Sequence, residues 1–136
     1  MKTLMPLVVL VGALTFQTTA QQQRKEDPCK KAEQTGVTVD LVECSSKKLA
    51  AADADLNKTY RELIAKLGDK NWELKLRTAQ QAWIKYRDAK CDFESELSGG
   101  GSAATFEYNF CLADVTTART KDLRETLNQI KERSGY

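Results

Sequence analysis

The 136-residue chain contains no histidine. That absence removes serine–histidine–aspartate triads, cysteine–histidine pairs and every zinc site that depends on imidazole. There is also no CxxC: the four cysteines, Cys29, Cys44, Cys91 and Cys111, are spread too widely for a zinc ribbon, so neither a metal nor any other cofactor is expected. No basic stripe interleaved with stacking aromatics is present. Lys and Arg number 21 against 19 Asp and Glu, with both signs interspersed, which argues against a nucleic-acid partner. Carboxylates are plentiful enough for glycoside hydrolysis, yet nothing in the pattern builds a deep cleft to hold a pair of them, and an enzyme is not expected. After residue 20 there is neither a strand-like alternation nor a run of apolar residues long enough to span a bilayer.

What is present begins with a leader. Lys2 precedes the apolar run Leu4 to Phe16, broken by Pro6 and Gly12, and small residues close it at Thr18-Thr19-Ala20, the pattern of a secretory signal over residues 1–20. Removing it takes away one lysine and no acid, so the net charge falls from +2 to +1. No cysteine follows Ala20 directly, so no lipid attachment is expected, and the exported chain should be periplasmic or secreted without remaining inserted in a membrane. Residues 21–28, QQQRKEDP, read as a flexible lead-in, and residues 29–132 as one helical domain.

Within that domain the periodicity is helical throughout. A short segment, Cys29 to Gln34, leads to a turn at Gly36, with Thr38 or Asp40 expected to cap the first long helix. That helix should run to Leu67 with Leu41, Cys44, Leu49, Leu56, Tyr60 and Leu63 on one side, ended by Gly68. A second should follow Asp69 or Asn71 as cap and extend to Leu97, its apolar side Trp72, Leu76, Ala79, Trp83, Tyr86 and Phe93. After Ser98-Gly99-Gly100-Gly101, a third should begin with Ser102 as cap and continue to Glu132, presenting Tyr108, Leu112, Val115, Leu123, Leu127 and Ile130. Short loops make successive helices antiparallel, so the expected fold is all-α, an elongated antiparallel three-helix bundle with a short N-terminal segment.

So thin a core needs bracing, and the cysteines supply it. Residues equidistant from the tip of a helical hairpin sit at the same height. The midpoint of Cys91 and Cys111 is Gly101, and that of Cys29 and Cys44 falls between Gly36 and Val37, so each pair should close across its own turn.

The second helix carries a further pattern. Gln80, Trp83, Arg87 and Cys91 share one side of it, although a core stripe rarely holds an amide and a guanidinium. That face either buries a matched polar network or presents an Arg and aromatic surface to another molecule. Asp53, Asn57, Gln80 and Asp88 are the candidates for the structural network; Tyr60, Arg87 and Arg119 are candidates for partner binding. Arg119 points near the core, where a half-buried guanidinium needs a carboxylate: Asp53, Asp55 or Asp88. Asn57-Lys58-Thr59 matches a glycosylation acceptor but lies mid-helix and is read as coincidence.

The set Cys29, Cys44, Asp53, Leu56-Asn57, Tyr60, Gln80, Trp83, Arg87-Asp88, Cys91, Gly100, Cys111 and Arg119 resembles the LprI-like lysozyme-inhibitor domain family. The most specific pieces are LNKTY at 56–60 and QQAWIKYRDAKC at 80–91, and the likeness extends over about Cys29 to Leu127; Gly36 and Leu41 depart from the usual pattern. The resemblance implies a disulfide-braced helical domain outside the cytoplasm that binds lysozyme or a related peptidoglycan hydrolase. A lysozyme cleft holds two carboxylates, so an inhibitor should bring hydrogen-bond donors on a narrow projection. Gly99, Gly100, Gly101 and Ser102 are the candidates for that projection. The alternative is an envelope adaptor that recruits another exported protein.

Overall fold

A computed structural model of the chain describes residues 27–133 and 135. The expected leader and the lead-in up to residue 26 lie outside the described residues. Four helices follow one another: α1 (Pro28–Thr35), α2 (Thr38–Leu67), α3 (Lys70–Leu97) and α4 (Gly101–Arg133). At 1.5 Å per residue the three long ones span roughly 40–50 Å.

Local chemistry sets the boundaries. Asp27 caps α1 by accepting the Cys29 N–H at 3.2 Å, and Pro28 occupies the first helical turn, where its missing N–H costs nothing. These last two lead-in positions are therefore part of the α1 start. Asp69 caps α3, accepting the N–H groups of Asn71 and Trp72 at 2.8 and 3.0 Å. Gly68 ends α2 in the left-handed region at φ 65°, where an L side chain would be strained. The expected cap of α2 is corrected: Val37 holds the cap position without a side-chain bond. Asp40 is instead turned back toward α1, where it accepts from Lys31 Nζ and Thr35 Oγ1, both at 2.7 Å. Ser102 is likewise not the cap of α4, because Gly101 already belongs to that helix.

The three long helices do not pack evenly. α2 and α4, separated by two reversals, run in the same direction and form the most extensive interface; α3 packs on α4 and touches α2 only sparingly. Leu56, Leu63, Leu123 and Leu127 make the buried cluster, flanked by Tyr60, Leu67, Leu76, Trp83 and Ile130. These residues lie toward the Gly68 turn. The opposite end is held covalently, by Cys29–Cys44 between α1 and α2 and by Cys91–Cys111 between α3 and α4, with Cα separations of 4.6 and 5.5 Å. Small and polar side chains fill the space there: Ser45 is fully buried, and Asn109 Nδ2 reaches the Ser45 and Ser46 hydroxyls at 3.3 and 3.2 Å.

One expected face is wrong. Trp72, Ala79, Tyr86 and Phe93 of α3 are exposed, and the inward side is made by Leu76, Gln80, Trp83, Arg87 and Cys91. Bond-forming partners on α2 and α4, together with the Cys91 bridge, rotate α3 toward its polar side, and the aromatic line is left in solvent.

Candidate functional site

Trp83 is the centre of the polar seam. The Arg87 guanidinium carbon lies 5.3 Å from its ring centroid and that of Arg119 lies 6.0 Å away, so one indole serves two cations from two helices. Arg87 Nε donates to Asp88 Oδ1 at 2.9 Å, and Nη1 donates both to Asp53 Oδ1 on α2 and to the Thr116 hydroxyl on α4, each at 3.3 Å. Its side chain is only 16% exposed. Arg119 Nε donates to Gln80 Oε1 at 3.1 Å. The expected carboxylate partner of Arg119 is thus corrected to an amide: Asp53 and Asp88 are taken by Arg87, and Asp55 pairs with Arg124. A neutral amide suffices because the Trp83 ring face offers a second site of negative potential.

Of the sequence-picked residues, the seam brings together Asp53, Gln80, Arg87, Asp88 and Arg119. Asn57 and Tyr60 stand apart from these bonds. They line an open groove of about 430 Å³ between α2 and α3, shared with Gln81, Ile84 and the outer edges of Trp83 and Arg87. Tyr60 is half-buried against the leucine cluster, and Asn57 is exposed. Thr59, the hydroxyl residue of the glycosylation pattern, is buried. Thr116 was not picked: it is fully buried, it accepts from Arg87, and its carbonyl accepts the Thr120 hydroxyl at 2.9 Å. The spacing Thr116, Thr120, Leu123, Leu127 carries the signal, which the hydroxyl chemistry of the first two disguises.

The glycine segment is a separate feature. Non-helical backbone is confined to Ser98, Gly99 and Gly100, and Gly101 and Ser102 lie in the first turn of α4. Gly99, Gly100 and Gly101 have φ of 100°, 66° and 72°. That run lets α3 reverse into α4 in the smallest width, and no atom lies within 4 Å of where a Gly100 side chain would start. The first N–H groups of α4 have no carbonyl partner within the helix and sit at its positive end, beside this tip. The Cys91–Cys111 bridge ties the two arms behind it. The geometry offers donors on a narrow, braced projection, whereas the donors of Arg87 are committed inside the bundle.

No group of histidine, cysteine or acidic side chains suited to a metal ion occurs among the described residues. No helix among them is long and apolar enough to cross a membrane.

A family model described as lysozyme inhibitor LprI matches residues 29–123. An uncharacterized protein of Rhizobium meliloti (strain 1021) is 36% identical over 120 residues, covering 79% of this chain and 84% of its own length. No solved structure matches significantly.

Proposed function

Because this chain belongs to the LprI lysozyme-inhibitor family, we propose that it is an exported protein that blocks lysozyme or a related peptidoglycan hydrolase by non-covalent occlusion. In this reading residues 1–20 are removed on export, residues 29–132 form the inhibitory domain, and the tip Ser98–Gly100 with the first turn of α4 enters the catalytic cleft. The observation that carries it is the tip itself, a narrow reversal fixed from behind by a disulfide, with the first N–H groups of α4 beside it. Two carboxylates in a lysozyme cleft are matched by such donors, and a pre-braced element loses little entropy on docking. The near-neutral balance gives no long-range steering toward a basic enzyme, so complementarity at short range has to supply the affinity.

The tip is tested by Gly100→Asn, since Asn tolerates positive φ and adds a side chain where the structure leaves open space. Inhibition weakened about tenfold or more, with the thermal midpoint unchanged, supports the tip as the inserted element. Full potency in this variant assigns inhibition to another surface.

A further inference from the structure

The outer face of α3 carries a line of apolar side chains from Trp72 to Leu97 that no other described residue covers. Trp72, Tyr86, Phe93 and Leu97 are 58%, 59%, 61% and 70% exposed. Trp72, Ala79, Tyr86 and Phe93 recur every seven residues, and the exposed Ala82 and Ala89 fall between them at the alternate heptad positions. A line of this spacing is what one helix presents to another in a coiled-coil seam, with the alanines as gaps into which aromatic rings fit.

The charges on the same helix say what should cover it. Lys70, Lys75 and Arg77 outnumber Asp69 and Glu73 toward the N-terminal end, whereas Asp92, Glu94 and Glu96 outnumber Lys90 toward the C-terminal end, and no basic residue lies in the last turn. The acidic last turn runs against the dipole of α3, which favours bases there. Within a single copy it is unfavourable. Beside a second α3 running the opposite way, each basic end meets an acidic end and the conflict is relieved.

We infer that α3 is a homodimer interface in which two copies of this chain pair their Trp72–Leu97 faces antiparallel about a two-fold axis. With the axis near residue 84, Ala79 meets Ala89 of the second copy, Ala82 meets its Tyr86, and Lys75 lies level with its Phe93, within one turn of its Glu96. Such an interface is isologous, so every contact is made twice. The two Ser98–Gly100 tips then point to opposite ends of the assembly and both stay free. The dimer stands on the α3 surface alone and does not depend on lysozyme as the target.

Sedimentation equilibrium of the purified protein across the micromolar range tests it, with Tyr86→Glu, Lys75→Glu, Glu96→Lys and the double variant K75E/E96K. All three positions are exposed, and far-UV circular dichroism checks that the helices are kept. The expected result is a dimer that Tyr86→Glu abolishes, that each single charge reversal weakens about tenfold, and that the double reversal restores. A protein monomeric at every concentration overturns the inference. So does a dimer indifferent to Tyr86→Glu, which would use another face. A monomer whose complex with lysozyme is lost on Tyr86→Glu overturns it as well, and assigns the stripe to the hydrolase.

Discussion

Arg87 bonds to all three long helices at once: to Asp88 on its own helix, Asp53 on α2 and Thr116 on α4. Because α2 and α3 otherwise touch little, this one side chain carries much of their mutual register. Arg87→Ala should cost about 2–3 kcal/mol in urea denaturation, less than a fully buried pair because Asp53 and Asp88 remain nearly half exposed. Arg87→Lys should recover little of that loss, since a single ammonium cannot reach partners in different directions. At the N-terminal end, hydrogen bonds from Lys31 and Thr35 hold the Asp40 carboxyl below the usual carboxylate range. A depressed folded-state pKa means that its contribution is present above the unfolded value and is lost as pH falls through the folded one. Carboxyl carbon shifts followed by NMR should therefore place the Asp40 midpoint below that of a free aspartate, and Lys31→Met should raise it. Residues of this kind are the least legible in sequence. Asp40 looks like a helix cap, and only the fold-back of α1 gives it other partners.

The three long helices were readable at the level of elements because leucines, glycine stops and the Asp69 cap agree with one another. Which face of α3 turns inward was less so, since the helix carries two overlapping stripes. Trp72, Ala79, Tyr86 and Phe93 are the more hydrophobic, but Gln80, Trp83, Arg87 and Cys91 have partners waiting on α2 and α4. Matched bonds and a covalent link outweigh exposure of three rings. On α4 the hydroxyls of Thr116 and Thr120 hid two fully inward positions for the converse reason: polar in the sequence, they are satisfied once buried, Thr120 within its own helix and Thr116 by Arg87. The pairing of the cysteines, by contrast, followed from hairpin geometry alone. Replacing Cys91 and Cys111 together by serine should lower stability by about 3 kcal/mol, as the closed loop of sequence separation 20 is released. Hydrogen exchange should show the loss concentrated in the tip ends of α3 and α4, with the Leu56–Leu67 region staying protected.

Viewed whole, the molecule is stabilised differently at its two ends, by leucine burial near the Gly68 turn and by disulfides near the glycine tip. A small disulfide-braced domain gains from this division. The hydrophobic end supplies cohesion, while the stapled end can present a bare reversal of backbone without a core beneath it. Membership of an inhibitor family fits the proposal that the molecule acts by docking on a hydrolase. The direct measurement is the rate at which lysozyme clears a suspension of bacterial cell walls as the purified protein is titrated in. Inhibition by docking predicts that lysis slows in proportion to added protein and levels off near equimolar ratio, with no sugar released by the protein alone. Lysis rates unchanged at large excess over several lysozyme types would contradict it.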